Sequence, residues 1–191
     1  MKLLHLISRI VVGFIFIFSG LVKGIDPLGT AYRFEDYFLV WGTPWMMPAA
    51  LALSIFMSTV EFTLGVVVLL NLKPKVNAWL LLLLMIFFTG LTLNDAIYDP
   101  VPDCGCFGDA IILTNWQTFY KNVVLLLFAL LLFIWRNKTC DKYNNVTSYG
   151  LAALVAAMFA GFSLWNYNHL PLIDFREWKK ATRCMLKIRN P

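Results

Sequence analysis

Charge is what this sequence has least of. Only 14% of its 191 residues are Asp, Glu, Lys or Arg, where a soluble domain carries about a quarter. With 60% hydrophobic residues and a mean hydropathy of +0.70, that scarcity excludes an ordinary soluble domain and puts the chain in the membrane class. Basic residues are not gathered into a face with interleaved polar groups except in the last stretch of chain, so nucleic acid is excluded as a partner. Histidine is almost missing: His5 and His169 lie far apart, and neither is near the cysteines. Structural zinc takes about four Cys or His ligands, so no metal site is assigned. Of four cysteines only Cys104 and Cys106 are neighbours; Cys140 and Cys184 stand alone.

What is there is a series of apolar runs. Residues 1–22 open with Lys2, His5 and Arg9 and then run apolar to Phe18. Phe18 and Gly20 make a poor small-x-small cleavage site and Arg9 lies too far in for a signal peptide, so the segment reads as a retained membrane helix. Gly13 and Gly20 share a side, and Gly20 with Gly24 forms a small-xxx-small pair that lets another helix come close. Residues 25–48 are not a span, because Asp26-Pro27 and Gly29 break the run. There Phe34, Phe38, Trp41 and Trp45 recur at helical spacing. A short helix lying in the membrane interface and an aromatic-rich loop packed on the bundle both satisfy that pattern.

The second span covers 49–72, with Ser54, Ser58, Glu61 and Gly65 on one stripe. Glu61 is the one ionisable residue in the middle of a span. A charge there costs a few kcal/mol on insertion scales, so it should face the interior and have a partner. A basic turn, Lys73-Pro74-Lys75, leads into a third span over 76–93, closed by Asn94 and Asp95. Arg9, Lys23, Asn94 and Asp95 join Glu61 as polar side chains assigned to the interior. Thr114 and Gln117 are spaced as a capping box before a fourth span, 116–135. A polar, basic connection (137–148), a fifth span (149–167) with Ala153, Ala157 and Gly161 on a close-packing face, and a short basic tail (168–191) complete the chain. The fold class is all-α: a polytopic bundle of four transmembrane helices, residues 1–136, plus a fifth.

Orientation follows from basic residues near the span ends. Lys2, Arg9, Lys73, Lys75, Arg136, Lys138 and Lys142 fall on one side, against Lys23, Arg33 and Lys121 on the other. This predicts a cytoplasmic N-terminus and an outward loop 95–115, periplasmic if the membrane is a bacterial inner membrane. The basic tail, also placed outside, runs against the count.

That loop holds the run Asp103-Cys104-Gly105-Cys106-Phe107-Gly108-Asp109. Two thiols separated by one glycine form a strained disulfide, and strained, exposed disulfides are labile and oxidising. Asp95, Asp99, Asp103 and Asp109 make the loop acidic, which works against an activated thiolate. Three readings stay open for Cys104 and Cys106: a redox pair, an inert structural turn and, short of ligands, a metal site. Glu61 likewise is either a proton relay or a buried carboxyl bound to a serine or backbone group.

Arg9, Gly13, Phe18-Ser19-Gly20, Lys23 and Asp26-Pro27 resemble the opening signature of the DoxX-like membrane proteins. Asp-Cys-Gly-Cys-Phe-Gly before a helix beginning Asn115-Trp116 resembles the MauE-type branch of that superfamily, in the form found in Bacteroidetes. The resemblance covers residues 1–136 and implies a four-helix membrane bundle. MauE-type proteins are associated with maturation of a periplasmic, disulfide-rich dehydrogenase subunit, and DoxD-type relatives with thiosulfate:quinone oxidoreduction. The sequence shows no cofactor motif; membrane quinone enters through that likeness alone. Members of this branch often continue beyond the fifth span into an outer domain, where this chain has its short tail. Two functions follow: a membrane thiol–disulfide protein using Cys104 and Cys106 on a periplasmic thiol partner, or a non-enzymatic scaffold or maturation partner for another protein. A carrier or channel is the weakest reading, since broken, repeated helices are lacking.

Overall fold

The computed structural model describes residues 2–101, 105–109, 111, 113–139 and 143–169. Its elements are α1 (Lys2–Ile25), α2 (Pro27–Val40), α3 (Ala50–Leu69), α4 (Pro74–Tyr98), a four-residue extended stretch β1 (Cys106–Asp109), α5 (Asn115–Trp135) and α6 (Asn145–Asn168). Among the described residues, five helices are long and apolar enough to cross a membrane: α1, α4, α5, α6 and the run Pro44–Leu69 that contains α3. At 1.5 Å per residue, a helix of 21 to 25 residues reaches about 31–38 Å, enough for a hydrocarbon core of about 30 Å. The chain is a multi-pass, all-α membrane bundle.

The helix ends have local causes. Asp26 accepts a hydrogen bond from the Gly29 amide at 3.1 Å and Pro27 occupies the first turn of α2, so α1 stops and a new helix starts at once. At the other end of the bundle Asn71 (φ 57°) and Lys73 (φ 39°) turn the chain between α3 and α4. The Arg9 guanidinium donates to the carbonyls of Val68 (3.3 Å) and Leu69 (2.7 Å) at the end of α3, where helix carbonyls lack partners in the next turn. Thr114 and Gln117 form the capping box of α5.

Two close pairs, α1 with α3 and α4 with α5, form the bundle. Val12, Phe16, Leu64, Val67, Leu81, Met85, Leu125 and Ala129 meet in its core. The α1–α3 contact depends on glycine. A Cβ on Gly20 would lie 2.6 Å from the Phe62 nitrogen, and one on Gly65 would lie 2.7 Å from the Ile17 nitrogen. Backbone cannot yield as a side chain can, so these helices approach only because both positions are bare. Gly24 instead meets the Phe159 ring of α6, at 2.5 Å from a built Cβ.

Several sequence assignments change. Residues 27–40 form a helix packed into the bundle, with Phe38 only 3% exposed beside Ala31 and Ala50. Trp41 only caps that helix, and Trp45 lies in a 3-10 turn, Pro44–Ala49, so the four aromatics do not share one helical face. Helix α4 continues past residue 93 to Tyr98, which puts Asp95 inside a helix rather than in the loop. Asn94 is exposed and Arg9 half-buried, so neither belongs to the fully buried set. Ala153, Ala157 and Gly161 face outward, and a Cβ on Gly161 would meet nothing within 4 Å. The buried face of α6 carries Ser148, Phe159, Ser163 and Asn166 instead, and Asn166 donates to the Gly24 carbonyl at 3.2 Å. The larger side chain Phe159 fills the gap that Gly24 leaves, so this face wins over the small one. Cys140 and the tail from 170 onward lie outside the described residues.

Candidate functional site

The described part of the cysteine run is a turn held against the bundle. Gly105 (φ 61°) and Gly108 (φ 55°) both adopt left-handed backbone, which glycine alone enters without strain. The Gly108 amide donates to the Gly105 carbonyl at 2.9 Å, closing the turn. Gly105 is needed twice over, since a Cβ there would come within 2.9 Å of the Arg33 side chain of α2. Phe107 sets its ring edge-on to Phe18 of α1, centroids 5.6 Å apart, and the Lys121 ammonium of α5 lies 4.2 Å from the Phe107 centroid. The turn is thus clamped by α1, α2 and α5. Cys106 is half-buried. Asp103 and Cys104 lie outside the described residues, as does the side chain of Asp109.

Beneath the turn lies a buried ion pair. The Lys23 ammonium is 2.7 Å and 2.9 Å from the two carboxylate oxygens of Glu61. The lysine and glutamate side chains are 8% and 4% exposed. Ser19, one helical turn before Lys23, places its hydroxyl 2.8 Å from Glu61 Oε2 and 2.7 Å from the carbonyl oxygen of Cys106. A hydroxyl has one hydrogen for these two acceptors. Shared between them, it joins the buried pair to the backbone of the cysteine turn.

Of the four aspartates assigned to the loop, Asp95 and Asp99 have described side-chain partners, and the side chains of Asp103 and Asp109 lie outside the described residues. Asp95 is fully buried and accepts from the Tyr37 hydroxyl of α2 at 2.5 Å. Asp99 accepts from the Asn115 side-chain amide at 2.6 Å. Lys23, assigned to the interior and also counted among the outer charges, is buried in the bundle. Arg33 and Lys121, the other two cations of that count, line the same cavity as Cys106. A charge count cannot see that these three long side chains turn inward.

That cavity has a volume of about 300 Å³ and is walled by α1 to α5 and by β1. Ser19, Lys23, Glu61 and Cys106 all contribute to its lining, with Met57, Phe88 and Leu125 among the apolar residues. Sequence reasoning missed Ser19, Thr30, Arg33, Tyr37, Lys121 and Asn122 as site residues. Only Ser19 left a readable signal: it stands four residues before Lys23, so the two share a helix face.

Residues 1–135 match the family described as methylamine utilisation protein MauE. The match ends where α5 ends, so the ion pair, the described cysteine turn and the cavity lie within it and α6 lies beyond it. A curated relative, protein TlpB of Flavobacterium psychrophilum, is 26% identical over 162 residues, which covers 79% of this chain and 42% of the relative. The chain thus spans less than half the length of that relative. No solved structure matches the chain.

Proposed function

The chain belongs to the MauE family, and we propose that it is a membrane thiol–disulfide protein whose Cys104 and Cys106 exchange electrons with a thiol partner on the outer face of a bacterial inner membrane. The observation that carries this reading is the seating of Cys106. Its turn is clamped by three helices, its carbonyl is bonded to Ser19 above a buried ion pair, and its residue walls an internal cavity. A disulfide between Cys104 and Cys106 spans a single glycine and is strained, so it is readily attacked. A partner thiolate attacks one loop sulfur, the loop S–S bond breaks, and a mixed disulfide forms as the other loop sulfur leaves as thiolate. The partner's second thiol then displaces the loop sulfur. The partner ends oxidised and the loop ends as a dithiol, having gained two electrons. Restoring the loop disulfide requires a two-electron acceptor, and membrane quinone is the class suggested by resemblance.

Thiol trapping in cells tests this directly. Acid quenching followed by alkylation should show Cys104 and Cys106 in both oxidised and reduced forms, and Cys106→Ala should accumulate a mixed disulfide formed when the Cys104 thiolate attacks the disulfide of the oxidised partner, the exchange run in reverse. Full function with both cysteines replaced by serine would refute the redox role. A second reading, a scaffold or maturation partner with the cysteine run as a structural clip, is favoured by the two left-handed glycines and the close packing of Gly105 on Arg33. Under it the pair would stay permanently oxidised, and Gly105 and Gly108 would matter more than the sulfurs.

A further inference from the structure

We infer that the cavity beside Cys106 takes one acyl chain of an anionic phospholipid from the surrounding membrane, with the lipid phosphate at Lys121. The body of the cavity suits a chain. Its volume, about 300 Å³, is that of a small-molecule site, and most of its lining residues are apolar. It lies where two helix pairs part. Helix α3 packs closely on α1, and α4 on α5, but α3 and α4 make little contact with each other. Leu53 and Met57 of α3 and Phe87, Phe88 and Leu91 of α4 line the cavity along that seam, and Phe87 is exposed there. Both helices belong to runs long and apolar enough to span a membrane, so the seam opens on hydrocarbon. One acyl chain enters through it while the other chain of the lipid stays in the bilayer.

Charge selects the headgroup. Four charged residues line the cavity. Lys23 and Glu61 answer each other, and Arg33 lies 3.9 Å from Asp36 on its own helix. Lys121 has no hydrogen bond or ion pair among the described residues, and its ammonium lies 4.2 Å from the Phe107 centroid. A ring face attracts a cation but leaves its charge uncancelled. Lys121 is the seventh residue of α5, about 9 Å along the helix axis from Asn115, and Trp116 and Tyr120 beside it are exposed. Such aromatic residues mark headgroup level, so the long lysine side chain reaches the depth of a lipid phosphate. Thr30 gives an independent observation. It is 6% exposed, it lines the cavity, and its hydroxyl has no hydrogen-bond partner among the described residues. Buried hydroxyls are rarely left unpaired, so this one points to a ligand acceptor. A phospholipid brings acceptors at its phosphate and ester carbonyls, whereas a cationic or purely hydrocarbon guest would leave both donors unmet. None of this depends on the thiol–disulfide reading.

The test is native mass spectrometry of the full chain in neutral maltoside micelles, titrated with lipids of one chain composition. Three probes separate the features of the guest: phosphatidylglycerol is anionic, phosphatidylcholine carries the same phosphate with a compensating cation, and diacylglycerol has chains and esters alone. One phosphatidylglycerol should bind saturably, about tenfold or more tightly than either of the others, the worth of a hydrogen bond to a charged group. Lys121→Met should abolish that preference, and Lys121→Arg, which keeps the charge, should retain it. Thr30→Val should weaken binding about fivefold, the worth of one neutral hydrogen bond. Met57→Trp, which fills the space of the chain, should weaken phosphatidylglycerol and phosphatidylcholine alike, with helical circular dichroism unchanged. Lys75→Met removes a cation at the opposite end of the bundle and should leave binding as it was. Equal affinity for the three lipids, an intact preference in Lys121→Met, an unaltered affinity in Thr30→Val, or an equal loss in Lys75→Met would each overturn the inference.

Discussion

Replacing Lys23 with methionine should be among the most destabilising single changes available in α1. The ammonium lies 2.7 Å and 2.9 Å from the two oxygens of Glu61, in side chains only 8% and 4% exposed. Without it the carboxylate keeps one described donor, the Ser19 hydroxyl at 2.8 Å, and shares that hydrogen with the Cys106 carbonyl. Removing one partner of a buried pair costs about 3–5 kcal/mol, because the other charge stays buried without compensation. Glu61→Leu leaves the ammonium stranded and should cost a similar amount. In the double variant, Lys23→Met with Glu61→Leu, no charge remains to be desolvated, so its stability should return to within about 1–2 kcal/mol of the native protein. The assay is unfolding in mixed micelles with increasing dodecyl sulfate, read by helical circular dichroism and analysed as a double-mutant cycle. A loss under about 1 kcal/mol in either single variant would refute the reasoning, as would two losses that simply add in the double variant. Either result would mean that water or lipid headgroups reach the pair.

Other outcomes follow from packing, capping and charge. Gly65→Ala should separate α1 from α3 and cost about 1–3 kcal/mol, since its Cβ would lie 2.7 Å from the Ile17 nitrogen. Gly161→Ala, with nothing within 4 Å, should be neutral or slightly stabilising in the same unfolding assay. Thr114→Ala removes the capping box of α5 and should cost about 1 kcal/mol. With Cys104 as the sole cysteine, a membrane-impermeant maleimide should label reduced intact cells; labelling only after lysis would reverse the proposed orientation.

What could be read along the chain was local. The membrane class, the long apolar helices, the Asp26-Pro27 break and the Thr114–Gln117 cap depend on composition, period and residues within a turn of one another, all of which are visible in order. Spacing also placed Ser54, Ser58, Glu61 and Gly65 on one face of α3, and that face is buried. Spacing does not say which helix lies opposite. The partner of Glu61 is 38 residues away on α1 and that of Asp95 is 58 residues away on α2, and nothing local to either acid names the other element. For the same reason Lys23 and Asp95, assigned to the interior and buried there, also read as a loop charge and as part of an acidic loop, and Ala153-Ala157-Gly161 read as a packing face. Each was judged by its chemical type and its neighbours in sequence. Tertiary packing decided which cations turn inward, which face of α6 meets the gap at Gly24, and that five helices and the cysteine turn enclose one cavity. Enclosure is a property of surfaces brought together from distant parts of the chain, and it exists only once they meet.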